Sequence, residues 1–100
     1  MENVNVEKMI NDLVNNATIA LSEFELLTQE QVDYIVAKCS ISAIDQHGSL
    51  ALAAVEETGR GIFEDKATKN LFACEYVVNN FRHLKTVGVI SDNPVTGITE

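Results

Sequence analysis

The sequence predicts a mainly α chain, four helices followed by an incomplete β-hairpin. Three observations carry this. Apolar residues recur at spacings of three and four through most of residues 4–83, the period of one helix face. Thr28-Gln29-Glu30-Gln31 has the form of a capping box, and Thr58-Gly59-Arg60-Gly61 has the form of a break between two helices. After Lys85 the pattern gives way to a β-like run and a cluster of turn formers. The division expected is a helical segment over 1–84 and the start of a hairpin extension over 85–100.

The first helix spans about residues 4–25. Val6, Met9, Ile10, Leu13, Val14, Ala17, Leu21 and Phe24 form its apolar face. Asn3 or Asn5 is placed to cap it, since the amide oxygen accepts from a free backbone N–H. Asn11, Asn15 and Asn16 lower its intrinsic propensity, so packing has to hold it.

The second helix starts at Thr28. Its hydroxyl reaches forward to position 31 while Gln31 reaches back, and Leu27 and Val32 form a hydrophobic staple. Glu30 lies where the helix dipole favours an anion. The stripe Val32, Ile35, Val36, Cys39, Ala43 is widened by Ile41 and Ile44, and the helix is expected to stop near His47-Gly48 with Gly48 in the left-handed region. Ser49 is the expected N-cap of a third helix. Leu50–Val55 is apolar almost all round, which requires neighbours on most faces.

Two glycines before a helix raise the question of a phosphate loop. A P-loop needs Lys and Ser or Thr after its last glycine, and a dinucleotide fingerprint needs three glycines after a strand. Here a helix precedes, Ile62-Phe63-Glu64-Asp65 follows, and two acids would repel a phosphate. A tight corner, with Glu64 or Asp65 capping the next helix, is the better reading. The fourth helix runs from about Asp65 to His83, with Ala67, Leu71, Cys74, Val77, Val78 and Phe81 on one side. Arg82, His83 and Lys85 gather at its C-terminal end, where cations complement the dipole. Thr86–Ser91 reads as a strand, Asp92–Gly97 as a turn, and Ile98–Glu100 as the beginning of a returning strand. A hairpin that stops there leaves an unpaired edge, so a piece of a longer fold is expected.

Composition narrows the function. Fifteen acidic residues against seven basic ones give a formal charge of −8, which disfavours nucleic acid and anionic membrane surfaces as partners. No apolar run is long enough to span a bilayer and no secretion signal opens the chain, so a cytoplasmic location is expected. Cys39 and Cys74 lie within helical apolar patterns and read as buried structural thiols. His47 and His83, the two histidines, supply neither a metal cluster nor a nucleophile–base pair. No catalytic, cofactor-binding or metal-binding residue is assigned.

A set of motifs kept in order carries a resemblance. They are Thr28-Gln29-Glu30-Gln31-Val32-Asp33, Val55-Glu56-Glu57-Thr58-Gly59-Arg60-Gly61, Glu64-Asp65-Lys66 with Lys69-Asn70, Phe72-Ala73, Glu75-Tyr76, and Lys85-Thr86-Val87-Gly88-Val89-Ile90. Together they resemble the N-terminus of the CoA-acylating aldehyde dehydrogenases, and within these the bifunctional aldehyde-alcohol dehydrogenases of fermentative bacteria. The resemblance covers about Thr28 to Glu100. It implies an N-terminal fragment of an α/β aldehyde-dehydrogenase-like fold, in a parent enzyme that reduces acetyl-CoA to acetaldehyde and then ethanol with NADH. For that parent it implies NAD, CoA as substrate and iron, a catalytic cysteine that neither Cys39 nor Cys74 matches, and assembly into homo-oligomers or filaments. The partner expected for these residues is the remainder of the parent, and the chain alone is expected to be inactive. The alternative is a self-contained acidic helical interaction module, homodimeric through Leu50–Val55.

Overall fold

The computed structural model describes residues 4–100, so the proposed cap at Asn3 lies outside the described residues. Helix α1 covers Val6–Phe24, and its cap is Asn5, whose Oδ1 accepts from the Lys8 N–H at 3.0 Å. Lys8 and Asp12 form an ion pair at 2.6 Å one turn on. Both side chains are exposed, so the pair contributes little. α1 touches no other described helix or strand. Its whole apolar stripe faces solvent, with Leu13 58% exposed.

Helix α2 covers Gln29–Asp45, and its capping box is complete. The Gln31 N–H donates to Thr28 Oγ1 at 3.2 Å, and the Thr28 N–H donates to Gln31 Oε1 at 2.9 Å. These two bonds satisfy two of the donors that a helix start leaves free. Helix α3 (His47–Thr58) follows after a single non-helical residue, Gln46, at φ −105° and ψ 5°.

That junction corrects two sequence expectations. Gly48 is not a left-handed cap; it lies inside α3 and has no positive φ. Ser49 is not the N-cap either. Its hydroxyl donates back to Gln46 O at 3.0 Å and to Gln46 Oε1 at 2.9 Å. The physical reason is that Gln46 absorbs the bend alone. The Gln46 N–H still bonds to Ser42 O and Ala43 O, and the Leu50 N–H already reaches Gln46 O at 2.9 Å, so no glycine is needed.

The left-handed cap falls at Gly59, φ 64°, whose N–H closes α3 on Val55 O at 2.8 Å. Gly61, φ 77°, completes the corner, and a Cβ there would stand 3.0 Å from Lys66 Cε. Helix α4 (Phe63–Leu71) then starts two residues earlier than expected. Ile62 is at the cap position, with no side-chain hydrogen bond. Glu64 and Asp65 therefore do not cap α4; they sit in its first turn and act through the dipole.

The fourth helix continues through a π-helical turn, Phe72–Val77, into α5 (Val78–Phe81). The sequence pattern gave no sign of that turn. Arg82 and His83 lie just past α5, and Arg82 Nη2 donates to Asn79 Oδ1 at 2.7 Å.

The run Thr86–Ser91 does not form the expected strand. The strands are β1 (Asp92–Asn93) and β2 (Ile98–Thr99), antiparallel, with Asp92 opposite Thr99 and Asn93 opposite Ile98. Asn93 begins the connection: its Oδ1 accepts from the N–H groups of Val95 (3.0 Å) and Thr96 (3.2 Å), and Gly97 at φ 71° brings the chain back. Pairing extends to Ser91 and Glu100, whose N–H and C=O groups are 2.9–3.2 Å apart. The hairpin thus sits further along than residue preferences placed it, because Thr86 and Val87 are engaged elsewhere.

The packed centre is small. α3 lies against α4, and α2 touches α3, α4, the π turn and α5. Ala51 is the one buried apolar side chain among the described residues, at 0% exposure. The chain exposes 8547 Å², whereas a compact protein of this size exposes about 5,600 Å². Its radius of gyration is 18.2 Å against about 13 Å for a compact 100-residue domain.

Candidate functional site

Besides the α3–α4 corner, two places among the described residues bring side chains from distant parts of the sequence together. The first is a groove of about 490 Å³ between α2 and the end of the fourth helix. Val32, Val36, Ile41 and Ile44 form one wall, and Val77, Val78, Phe81 and Leu84 form the other. The α2 wall follows from helical spacing, since its residues recur at three to five positions and share a face; the other wall joins the π turn, α5 and Leu84 just beyond it. Cys74 lines the groove and is half-buried, a free thiol. Cys39, expected to be buried, is exposed on α2. The stripe that contains it has no described element over that position.

Apolar side chains dominate the lining of the groove, alongside Asp33, Ser40, Glu75, Asn79, Arg82 and Thr86. It offers little chemistry. No group of three or more His, Cys, Asp or Glu side chains gathers among the described residues. His47 directs Nδ1 at Ile44 O, 2.6 Å away, and its own carbonyl accepts from Asn70 Nδ2 at 3.1 Å. These bonds tie α3 to the α2 end and to α4, so His47 is a structural residue of the corner.

The glycine corner is equally structural. Its space over Gly61 is taken by the Lys66 side chain, and Glu64 and Asp65 occupy the first turn of α4. A pyrophosphate laid on that helix start would meet two carboxylates. The corner therefore does not fit a dinucleotide pyrophosphate, and the described residues gather no set of side chains suited to an iron ion.

The second convergence is polar, and the sequence alone did not reveal it. Gln29, in the first turn of α2, bonds to a segment 57 residues away. Its Oε1 accepts from the N–H groups of Thr86 at 2.8 Å and Val87 at 2.9 Å. Its Nε2 donates to Thr86 Oγ1 at 3.0 Å and to Asp33 Oδ1 at 2.8 Å. A primary amide has two acceptor positions and two donors, and all four are used here. In the sequence Gln29 is one polar residue of a helix start, and nothing local marks its distant partner.

Among the described residues no helix is long and apolar enough to cross a membrane.

Comparison with known proteins shows what this arrangement is similar to. No family model matches the chain. It is 58% identical over 101 residues to aldehyde-alcohol dehydrogenase 2 of Entamoeba histolytica, covering 99% of this chain and 12% of that protein. It is 68% identical over 93 residues to the aldehyde-alcohol dehydrogenase of Streptococcus pneumoniae, covering 93% of this chain and 10% of that one. A crystal structure of an acetylating aldehyde dehydrogenase from Geobacillus thermoglucosidasius superposes with a TM-score of 0.78 at 36% identity, over 93% of this chain and 21% of that chain. Homologues at 43–68% identity are thus aldehyde-alcohol dehydrogenases, oxidoreductases by name, and the chain spans about a tenth of the length of these relatives.

Proposed function

We propose that these residues are the structural N-terminal part of the CoA-acylating half of a bifunctional aldehyde-alcohol dehydrogenase. In this reading the parent is a cytoplasmic, homo-oligomeric or filamentous enzyme that reduces acetyl-CoA to acetaldehyde and then to ethanol. NADH, bound by the remainder of the parent, supplies the hydride. Residues 1–84 contribute helices to the aldehyde dehydrogenase domain, and residues 85–100 begin its hairpin extension. They supply no catalytic, cofactor-binding or metal-binding side chain, and alone they are inactive.

The observation that carries this reading is the uncovered surface. The chain exposes about 2,900 Å² more than a compact protein of its size would. One partner in an obligate dimer buries roughly 1,000–2,500 Å². The excess stands at the upper end of such contacts, so these residues call for extensive burial against further polypeptide. The motif order and the one-tenth coverage of the relatives support the same reading.

Assay of the complete polypeptide that carries these residues tests it. Acetyl-CoA-dependent oxidation of NADH is expected from the complete protein and not from residues 1–100. A complete protein without that activity, or an active 100-residue chain, overturns the reading. One observation favours the interaction module instead: Leu50 and Leu52 are exposed on either side of buried Ala51. For that reading, sedimentation of residues 1–100 as a defined dimer with cooperative unfolding is the required result.

A further inference from the structure

The hairpin leaves the helical body as an arm. β1 and β2 touch each other and no other described helix or strand. Val95 at the tip is 93% exposed. Between the end of α5 and β1 the chain has no regular structure, so the direction of the arm is set by whatever holds residues 84–90. The side-chain bonds from that stretch to the helical body come from Gln29 alone among the described residues. The other local side-chain bond, from Lys85 Nζ to Val89 O at 3.2 Å, stays within the stretch itself.

We propose that Gln29 is a positioning residue that fixes the exit direction of the hairpin arm from the helical body. Its place suits this role. Sitting in the first helical turn, just after the Thr28 cap, it is oriented by the capping box without taking part in it. Asp33, one turn on, accepts from Nε2 and sets which way the amide faces, so that Oε1 meets the two backbone N–H groups. Two consecutive N–H groups on one oxygen fix both the position and the direction of the segment that bears them. The arm presents its edge and the apolar side chains Val89, Ile90 and Ile98 in a direction set at α2. The inference is independent of the enzyme reading, since its readout is backbone protection and not turnover.

Hydrogen exchange in the complete polypeptide that carries these residues tests the proposal, comparing Gln29→Ala and the double variant Gln29→Glu/Asp33→Asn with the parent sequence. Alanine is a better helix former than glutamine and leaves the Thr28–Gln31 box intact, so α2 is expected to keep its protection. The Thr86 and Val87 amides are expected to exchange about tenfold faster or more in Gln29→Ala, from loss of their shared acceptor. With Asn at position 33 donating where Asp33 accepted, the glutamate of Gln29→Glu/Asp33→Asn keeps an oriented acceptor oxygen without a facing carboxylate, and the pair is expected to restore protection at both amides. Unchanged protection at Thr86 and Val87 in Gln29→Ala overturns the proposal. So does equal loosening of α2, or a failure of Gln29→Glu/Asp33→Asn to restore protection, because either result assigns the effect to general packing and not to the acceptor.

Discussion

α1 is held together by local bonds alone, from the Asn5 cap to the helical ladder of its nineteen residues. The α3–α4 corner depends on residues far apart in the chain: Asn70 bonds to His47 O, and Ala51 is enclosed completely. α1 is the richer of the two in apolar residues, and yet it is the one left uncovered. A periodic stripe therefore predicts that a helix has a face to bury, and says nothing about which part of the protein covers it. Asn11, Asn15 and Asn16 lower the intrinsic helicity of α1, and helices in proteins draw most of their stability from packing, so its stripe is a demand for contacts that the described residues do not meet.

Four measurements break or sharpen this contrast. The largest effect belongs to Leu13→Ala in the complete polypeptide, where a covered stripe loses about 2–5 kcal/mol on truncation of a core leucine. Urea unfolding reads it, and a midpoint equal to that of the unsubstituted protein means that the stripe stays bare. Next is Ala51→Leu, also in the complete polypeptide, with a cost of about 1–3 kcal/mol because the site has no spare space. A tolerated leucine there would show the corner to be loosely packed.

Thr28→Ala comes third, at about 1 kcal/mol, through loss of the bond to the Gln31 N–H. Exchange protection of the first turn of α2 is the direct readout, and unaltered protection would mean the cap is dispensable. The smallest effect is again Leu13→Ala, now in residues 1–100 alone. A half-exposed leucine with no tertiary neighbour should change the helical signal in circular dichroism by an amount corresponding to less than about 0.5 kcal/mol. A large loss in the short chain would reveal a contact for α1 that the structure does not contain.

The parts legible in the sequence are those set within one or two turns. Thr28 and Gln31 are three residues apart, and their reciprocal bonds form as read. The Gly59–Gly61 break and the four helices also follow from local chemistry. The errors arise where a nearby alternative or a distant partner decides. Gly48 resembles a cap, but Gln46 makes the bend two residues earlier. Glu64 and Asp65 resemble caps, but Phe63 already belongs to the helix. Thr86–Ser91 has the composition of a strand, yet Gln29 takes the N–H groups of Thr86 and Val87. Cys39 keeps an apolar neighbourhood in sequence and remains exposed in space. The π turn spanning Phe72–Val77 leaves the apolar spacing nearly unchanged and so is silent in the pattern. The groove was only half legible: its two walls are visible as stripes, but their pairing across α2 and α5 is a tertiary fact.

The bare stripe of α1 also has a history in time. A helix of this length forms in about a microsecond once its residues are free. The 74 residues from Leu27 to Glu100, none of which covers it, take about 4–15 s to synthesise at ordinary elongation rates. During that interval the nascent chain carries an adhesive helix with its partner surface still absent. Residues 1–26, with five acidic residues against one basic, already carry half of the formal charge of −8, which works against premature association by keeping neighbouring chains apart. Acidity that says little about the finished protein's ligands has a use on the ribosome.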